Sequence, residues 1–408
     1  MPQAMHAGLR PLTRLIIVLI ILSPFALAVP EWIDADPKHV SAWEDGSPVE
    51  VKSLPVREDG TRLNVEALRP ITGFAINAHH IDDLNLYLES VDAIADLGAN
   101  ALIVLTPMFQ QYVDSEEITY IASKCATDEQ LIAILRRARE RGLHTTLLPI
   151  VLIEHPGEKD WRGVIRPKDW ERWWETYDAF TDRFVDVANA ADVDLLVIGS
   201  ELNSTEDMLD RWQRQVDRVR EAFKGQIAYS ANWDRFDKIK FWPMMDVMCV
   251  SSYFELKRDD PNAAEEELVE AWADERDKLV RFAHKWQKPL LLSEVGYPSV
   301  PWASAHPWNY VIEEGSEGDH QAQARCWRAF FRAWTQTFAD RTSGAFGFFG
   351  YFWSPYYHGD AWDTGYGIRG KPSYDIVKRG MANIRTMADE AKRTAATKPA
   401  AKSNTDID

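Results

Sequence analysis

The chain is short of cysteine, of positive charge and of long apolar runs, and each shortage closes off a class of protein. Its three cysteines, Cys125, Cys249 and Cys326, are odd in number and widely spaced, so they form no disulfide framework. Cys249 lies in an apolar run and Cys326 in a helical pattern, where each reads as a buried, inert thiol. Lys and Arg number 46 against 63 Asp and Glu, a net charge of −17. Nucleic-acid binding and a polybasic membrane surface both need the opposite balance. No Ser sits in a G-x-S-x-G context, which leaves a serine hydrolase unsupported. Gly344, Gly347 and Gly350 precede no Lys-Ser/Thr, so they read as close backbone packing and not as a phosphate loop. His79 and His80 are adjacent and have no third ligand nearby, so neither metal nor cofactor is expected. The apolar run 15–28 holds 14 residues, fewer than the roughly 20 that span a bilayer.

Tryptophan, by contrast, is plentiful. There are 17 Trp among 408 residues, as many as Phe, beside 13 Tyr. Such a count serves either core packing or a surface built to stack on something flat and neutral. The N-terminus has its own pattern. Arg10 and Arg14 precede the apolar run, which closes on Ala26-Leu27-Ala28. That order predicts a signal peptide over 1–28, with an uncleaved signal anchor as the alternative, and hence a secreted, periplasmic or envelope location. Residues 29–70 read as an irregular leader packed on the domain. Residues 391–408, rich in Lys, Ala, Thr and Ser, read as a disordered tail.

Between these ends, over 71–390, short apolar β-rich runs alternate with amphipathic stretches. The runs fall at 71–77, 101–107, 144–150, 195–201, 226–232, 246–253, 289–296 and 344–353, apolar on both faces as buried parallel strands require. Helices are clearest at 84–97, 128–141, 169–190, 206–223, 263–286 and 319–338. Thr127 and Gln130 form a capping box, and Gly98 and Gly142 stand at C-terminal stops. Between 232 and 246 the helical pattern is weak, interrupted by Trp242-Pro243. Eight such units predict a single (β/α)₈ TIM barrel of the α/β class, with a doubly wound sheet as the rival. In a barrel, the reacting groups stand where strands end.

Two strand ends carry a carboxylate: Glu201 after the fourth apolar run and Glu294 after the seventh. A Glu there is costly unless something pairs or uses it. Lying 93 residues apart on strands almost opposite one another, the two make a candidate acid/nucleophile pair. Tyr253, ending the sixth strand, is placed to donate its hydroxyl to the strand-seven carboxylate and favour its charged form. Trp161, Trp233 and Trp353 follow the third, fifth and eighth strands. There they could stack on something flat and neutral, with Asn232 and Arg162 as polar neighbours. Trp170, Trp173, Trp174, Trp212, Trp272, Trp286, Trp327 and Trp334 lie within helices and read as packing.

Ordered segments along 71–385 carry a resemblance. They are Leu148-Pro149-Ile150, Asp160-Trp161-Arg162-Gly163, Ile198-Gly199-Ser200-Glu201-Leu202, Tyr229 to Trp233, Phe241-Trp242, Ser252-Tyr253-Phe254, Lys288-Pro289, Ser293-Glu294-Val295-Gly296-Tyr297 and Phe352-Trp353. The chain resembles the retaining (β/α)₈ glycoside hydrolases of clan A, most of all family 113, whose characterised members are largely β-mannanases. That resemblance implies Glu201 as general acid/base, Glu294 as nucleophile and Trp353 as a sugar platform. It also implies a neutral β-linked polysaccharide or oligosaccharide substrate, mannan first. Where much of the clan has Asn before the strand-four Glu, this chain has Ser200. Asn203 is positioned either to make the lost contact or to cap the next helix. Two alternatives remain at this point: hydrolysis of another β-glycan, and a catalytically silent barrel that binds glycans in the envelope.

Overall fold

The computed structural model describes residues 62–312, 316–356 and 359–397, so the signal segment and most of the leader lie outside the described residues. Eight parallel strands form a closed barrel: β1 Ile71–Asn77, β2 Ala101–Gln110, β3 His144–Ile153, β4 Leu195–Ser200, β5 Gln226–Asn232, β6 Val247–Ser251, β7 Leu290–Val295 and β8 Ala345–Gly350. Each pairs with the next, and β8 returns to β1 through Ile71↔Gly347 to Phe74↔Gly350, which closes the ring. This is the TIM barrel expected. Most strands are buried along nearly their whole length, because helices cover the outside and side chains fill the inside. Gly347 is required at the closure: a Cβ there would lie 1.9 Å from the Ile71 carbonyl oxygen.

Helices α1 Leu84–Leu97, α2 Asp128–Glu140, α3 Trp170–Ala190, α4 Leu209–Ala222, α5 Glu265–Trp286, α6 His320–Ala339 and α7 Ser373–Thr397 surround the barrel. Among the described residues none is long and apolar enough to cross a membrane. Starts and stops follow local chemistry. Thr127 and Gln130 make the reciprocal capping box, Asp169 accepts from the Glu171 and Arg172 amides, and Gly98 ends α1 in the left-handed region. Between β5 and β6 there is only the 3₁₀ turn Trp242–Met244, as the Trp-Pro interruption suggested. Trp173, Trp212, Trp272, Trp327 and Trp334 are fully buried between helices and barrel. That accounts for much of the tryptophan excess without any ligand.

The two ends of the chain meet the barrel differently. The described part of the leader plugs the N-terminal end: Val65 joins the interior cluster, and the Leu63 amide donates to Asp194 Oδ1 at 2.5 Å. At the other terminus α7 runs to Thr397, so 391–397 is helical and not disordered. Ala and charged residues with high intrinsic helix propensity extend a helix that needs no apolar stripe beyond the core.

Candidate active site

The barrel's C-terminal mouth is built from the ends of β1, β3, β4, β5, β6, β7 and the segment after β8. Glu201 lies one residue past β4, with its amide bonded to the Ser230 carbonyl oxygen at 2.8 Å and its φ at +52°. A left-handed Glu persists only where the surroundings hold it, and such residues gather at functional sites. The holder is identifiable. The Tyr229 hydroxyl accepts from the Leu202 amide at 2.9 Å and donates to buried Glu206 at 3.0 Å, and Arg235 pairs with Glu206.

Glu294 reaches the mouth by a different route. Leu291 and Ser293 point into the barrel, so strict alternation would turn Glu294 outward to the helices. Register shifts where β7 meets β6 and β8 break that alternation. Glu294 is thereby brought under the Tyr253 hydroxyl, which donates to its Oε2 at 2.7 Å. Arg162, on the 3₁₀ turn Arg162–Val164 after β3, donates from Nη2 to Glu201 Oε2 at 2.5 Å. Both carboxylates are buried, at 7% and 5% exposure.

The electrostatics make the two carboxyls one unit. Burial pushes Glu294 up to about 7, and the Glu201 charge pushes in the same direction. Arg162 and the Tyr253 bond oppose this and lose. The net direction is the reverse of what the Tyr253 bond alone suggested, because desolvation outweighs one hydrogen bond. Burial pulls Arg162 down, but Glu201 and Glu294 together hold it above its ordinary value. The dyad therefore retains one proton to near neutrality, and that proton belongs to the pair.

Several buried polar atoms at this mouth have no hydrogen-bond partner among the described residues: Asn77 Oδ1, Arg162 Nε, Ser200 Oγ, Asn203 Oδ1 and Glu294 Oε1. Their convergence around two carboxylates suits a ligand rich in hydroxyls. Asn203 heads a 3₁₀ turn and caps no α-helix. Asn232 turns its amide oxygen back to the Trp233 N–H at 2.9 Å, while Trp233 is half-buried and edge-on to Phe254. Trp161, also half-buried, folds its ring over Gly163 beside Arg162.

Trp353 is the correction. It is 2% exposed and lies against Phe74, Tyr374 and Arg369, between β1 and α7, and offers no open face to a sugar. Tyr351 and Phe352 both pack toward the barrel interior, which shifts the alternation by one and sends Trp353 outward. The aromatic at this edge of the site is Tyr351, whose hydroxyl accepts from Asn77 Nδ2 at 3.0 Å and whose ring meets Tyr253 and Tyr366. Parity counted from interior Phe349 would have pointed to Tyr351. Tyr366 comes from a distant rim segment and left no such signal.

The rim over β7 and β8 is clasped from below. Buried Lys371 pairs with Asp363 at 2.9 Å and donates to Ser299 Oγ at 2.8 Å, tying 296–319 to 351–372. The His79-His80 pair divides: His79 bridges Cys125 by backbone, and His80 bonds Asp82. Among the described residues no group of three or more His, Cys, Asp or Glu is arranged to hold a metal ion.

This architecture has known counterparts. The GH113 β-mannanase of Alicyclobacillus acidocaldarius superposes with a TM-score of 0.69 at 23% identity, over 79% of this chain and all of the other. A second GH113 β-1,4-mannanase gives 0.67 at 22%, over 78% of this chain and all of the other. A family 5 mannosidase of Rhizomucor miehei gives 0.50 at 11%, over 79% of this chain and 94% of the other. At such identities the likeness speaks for the fold. Among curated proteins none matches in sequence. The sequence profile of Glycoside Hydrolase Family 113 matches residues 85–371, from the first helix to the clasp at Lys371. With well over half its length inside that profile, the chain belongs to Glycoside Hydrolase Family 113 and is an O-glycosyl hydrolase.

Proposed function

We propose that this glycosidase cleaves β-1,4-linked mannan with net retention, by double displacement between Glu294 and Glu201. The observation that carries the reading is the buried, coupled carboxylate pair, one member held by Arg162 and the other by Tyr253. In the productive state Glu201 holds the shared proton and gives it to the leaving oxygen. Glu294, ionised, bonds the anomeric carbon, and Glu201 then takes a proton from the water that releases the sugar. Tyr253 favours this distribution by donating to the charged Glu294, and does so against Arg162, whose bond to Glu201 favours the charge there. The choice of mannan rests on the family and on the β-mannanases of like fold.

The test is hydrolysis of purified β-mannan, β-glucan and xylan, with the first-formed anomer read by NMR. Mannan is expected to be cleaved fastest and to yield the β-anomer. An α-anomer would mean inversion, and no hydrolysis of any of these polymers would overturn the mannanase reading.

A smaller effect is expected of Tyr253→Phe. A hydrogen bond to a charged carboxylate contributes about 1.5–3 kcal/mol, so kcat/KM falls roughly 10–100-fold. Without that bond Glu294 rises above its value of about 7. The alkaline limb of the kcat/KM profile therefore moves to higher pH, and a limb that stayed put would place the titration elsewhere.

A further inference from the structure

Trp308 is 46% exposed, yet its indole is hydrogen-bonded within the protein. It lies on the segment after β7, at the C-terminal face, and its indole N–H donates to Glu255 Oε1 at 3.0 Å. Glu255 is itself largely covered, and His306 and Arg258 also contact it. The backbone beneath is fastened too, since the Tyr366 hydroxyl donates to the Pro307 carbonyl oxygen at 2.5 Å. Tyr366 in turn stands edge-on to Tyr253, the residue bonded to Glu294. Glu255 follows Tyr253 by two residues, so their Cα atoms are at most about 7 Å apart.

An exposed indole costs free energy in water, and fixing its rotamer adds an entropic cost; neither is offset by burial in the core. A flat apolar face fixed beside a hydroxyl-binding cleft is what a pyranose ring stacks on with little further ordering. Glu255 can at the same time accept from a hydroxyl at the edge of that ring. We propose that Trp308 and Glu255 form an outlying sugar subsite, binding a residue of the β-linked chain beyond the two that flank the scissile bond. This rests on the mannanase reading above.

The test compares mannohexaose with mannotriose on wild type, Trp308→Ala and Trp308→Phe. The ratio of kcat/KM, hexaose over triose, is expected to fall about tenfold in Trp308→Ala, chiefly through KM. Trp308→Phe, which keeps an aromatic face, should recover most of it. A fold defect would lower both substrates together and leave the ratio alone. An unchanged ratio in an active variant overturns the subsite and leaves the mannanase reading standing. A wild type that cleaves neither sugar overturns the mannanase reading, and the subsite falls with it.

Discussion

Replacing Glu294 with Gln is expected to lower turnover of mannan by roughly 10⁴-fold or more, the scale on which loss of a covalent nucleophile is felt in hydrolases. Gln keeps the volume and still accepts from Tyr253, so the loss reports chemistry and not packing. The same change is expected to make the protein more stable, in one pH range only. Glu294 titrates near 7 when folded, against 4.5 ordinarily, so the folded chain holds its proton more tightly than the unfolded chain does. That contribution is fully present below pH 4.5 and is lost as pH rises through 7. Gln bears no such charge. The variant and the wild type should therefore unfold alike near pH 4. The variant should gain progressively to about 3 kcal/mol above pH 7, at 1.36 kcal/mol per pKa unit. Urea melts at pH 4 and pH 8 check it. Equal stability at both would mean that Glu294 pays nothing for its burial, and wild-type turnover by the variant would remove it from the mechanism.

Glu201→Ala is expected to give the second largest loss, about 10²–10⁴-fold on mannan, because the leaving sugar can no longer be protonated. A mannoside with a good leaving group, such as a dinitrophenyl glycoside, needs no proton and should lose far less in its first step. Azide should then intercept the covalent intermediate in the space left by the carboxyl and yield the β-glycosyl azide. There is also an electrostatic signature. The Glu201 charge pushes Glu294 up, and Arg162, left without its 2.5 Å partner, keeps Glu294 as a carboxylate to answer its charge. The titration near 7 should move down in this variant. No rescue by azide, together with equal losses on both kinds of substrate, would deny Glu201 the acid/base role.

Much of this site could be read from residue order because a barrel turns order into place. An apolar run that ends in Glu puts that Glu on the mouth, and Glu201, Glu294 and Tyr253 all followed from that rule. The rule says which residues stand at the end of a strand but not which way the last few face. Trp353 was misplaced for that reason: the alternation breaks at Tyr351 and Phe352, a break set by packing in the finished barrel. The net direction at Glu294 was hidden likewise, since it depends on burial and on a carboxylate 93 residues away. The partners drawn from the rim, Tyr366 and Trp308, lie on irregular stretches where no period indicates what they touch.

The clasp at Lys371 has a bearing on how this rim can change. Its cation and carboxylate both come from 351–372, while the hydroxyl they close around, Ser299, comes from 296–319. The Ser299 amide also donates to the Thr364 and Gly365 carbonyl oxygens. Substitution of one charged partner would strand the other away from water, a loss far beyond that of a surface contact. The two segments therefore form a single heritable module. A graft that carried one into another barrel without its companion would deliver a loop without its lock.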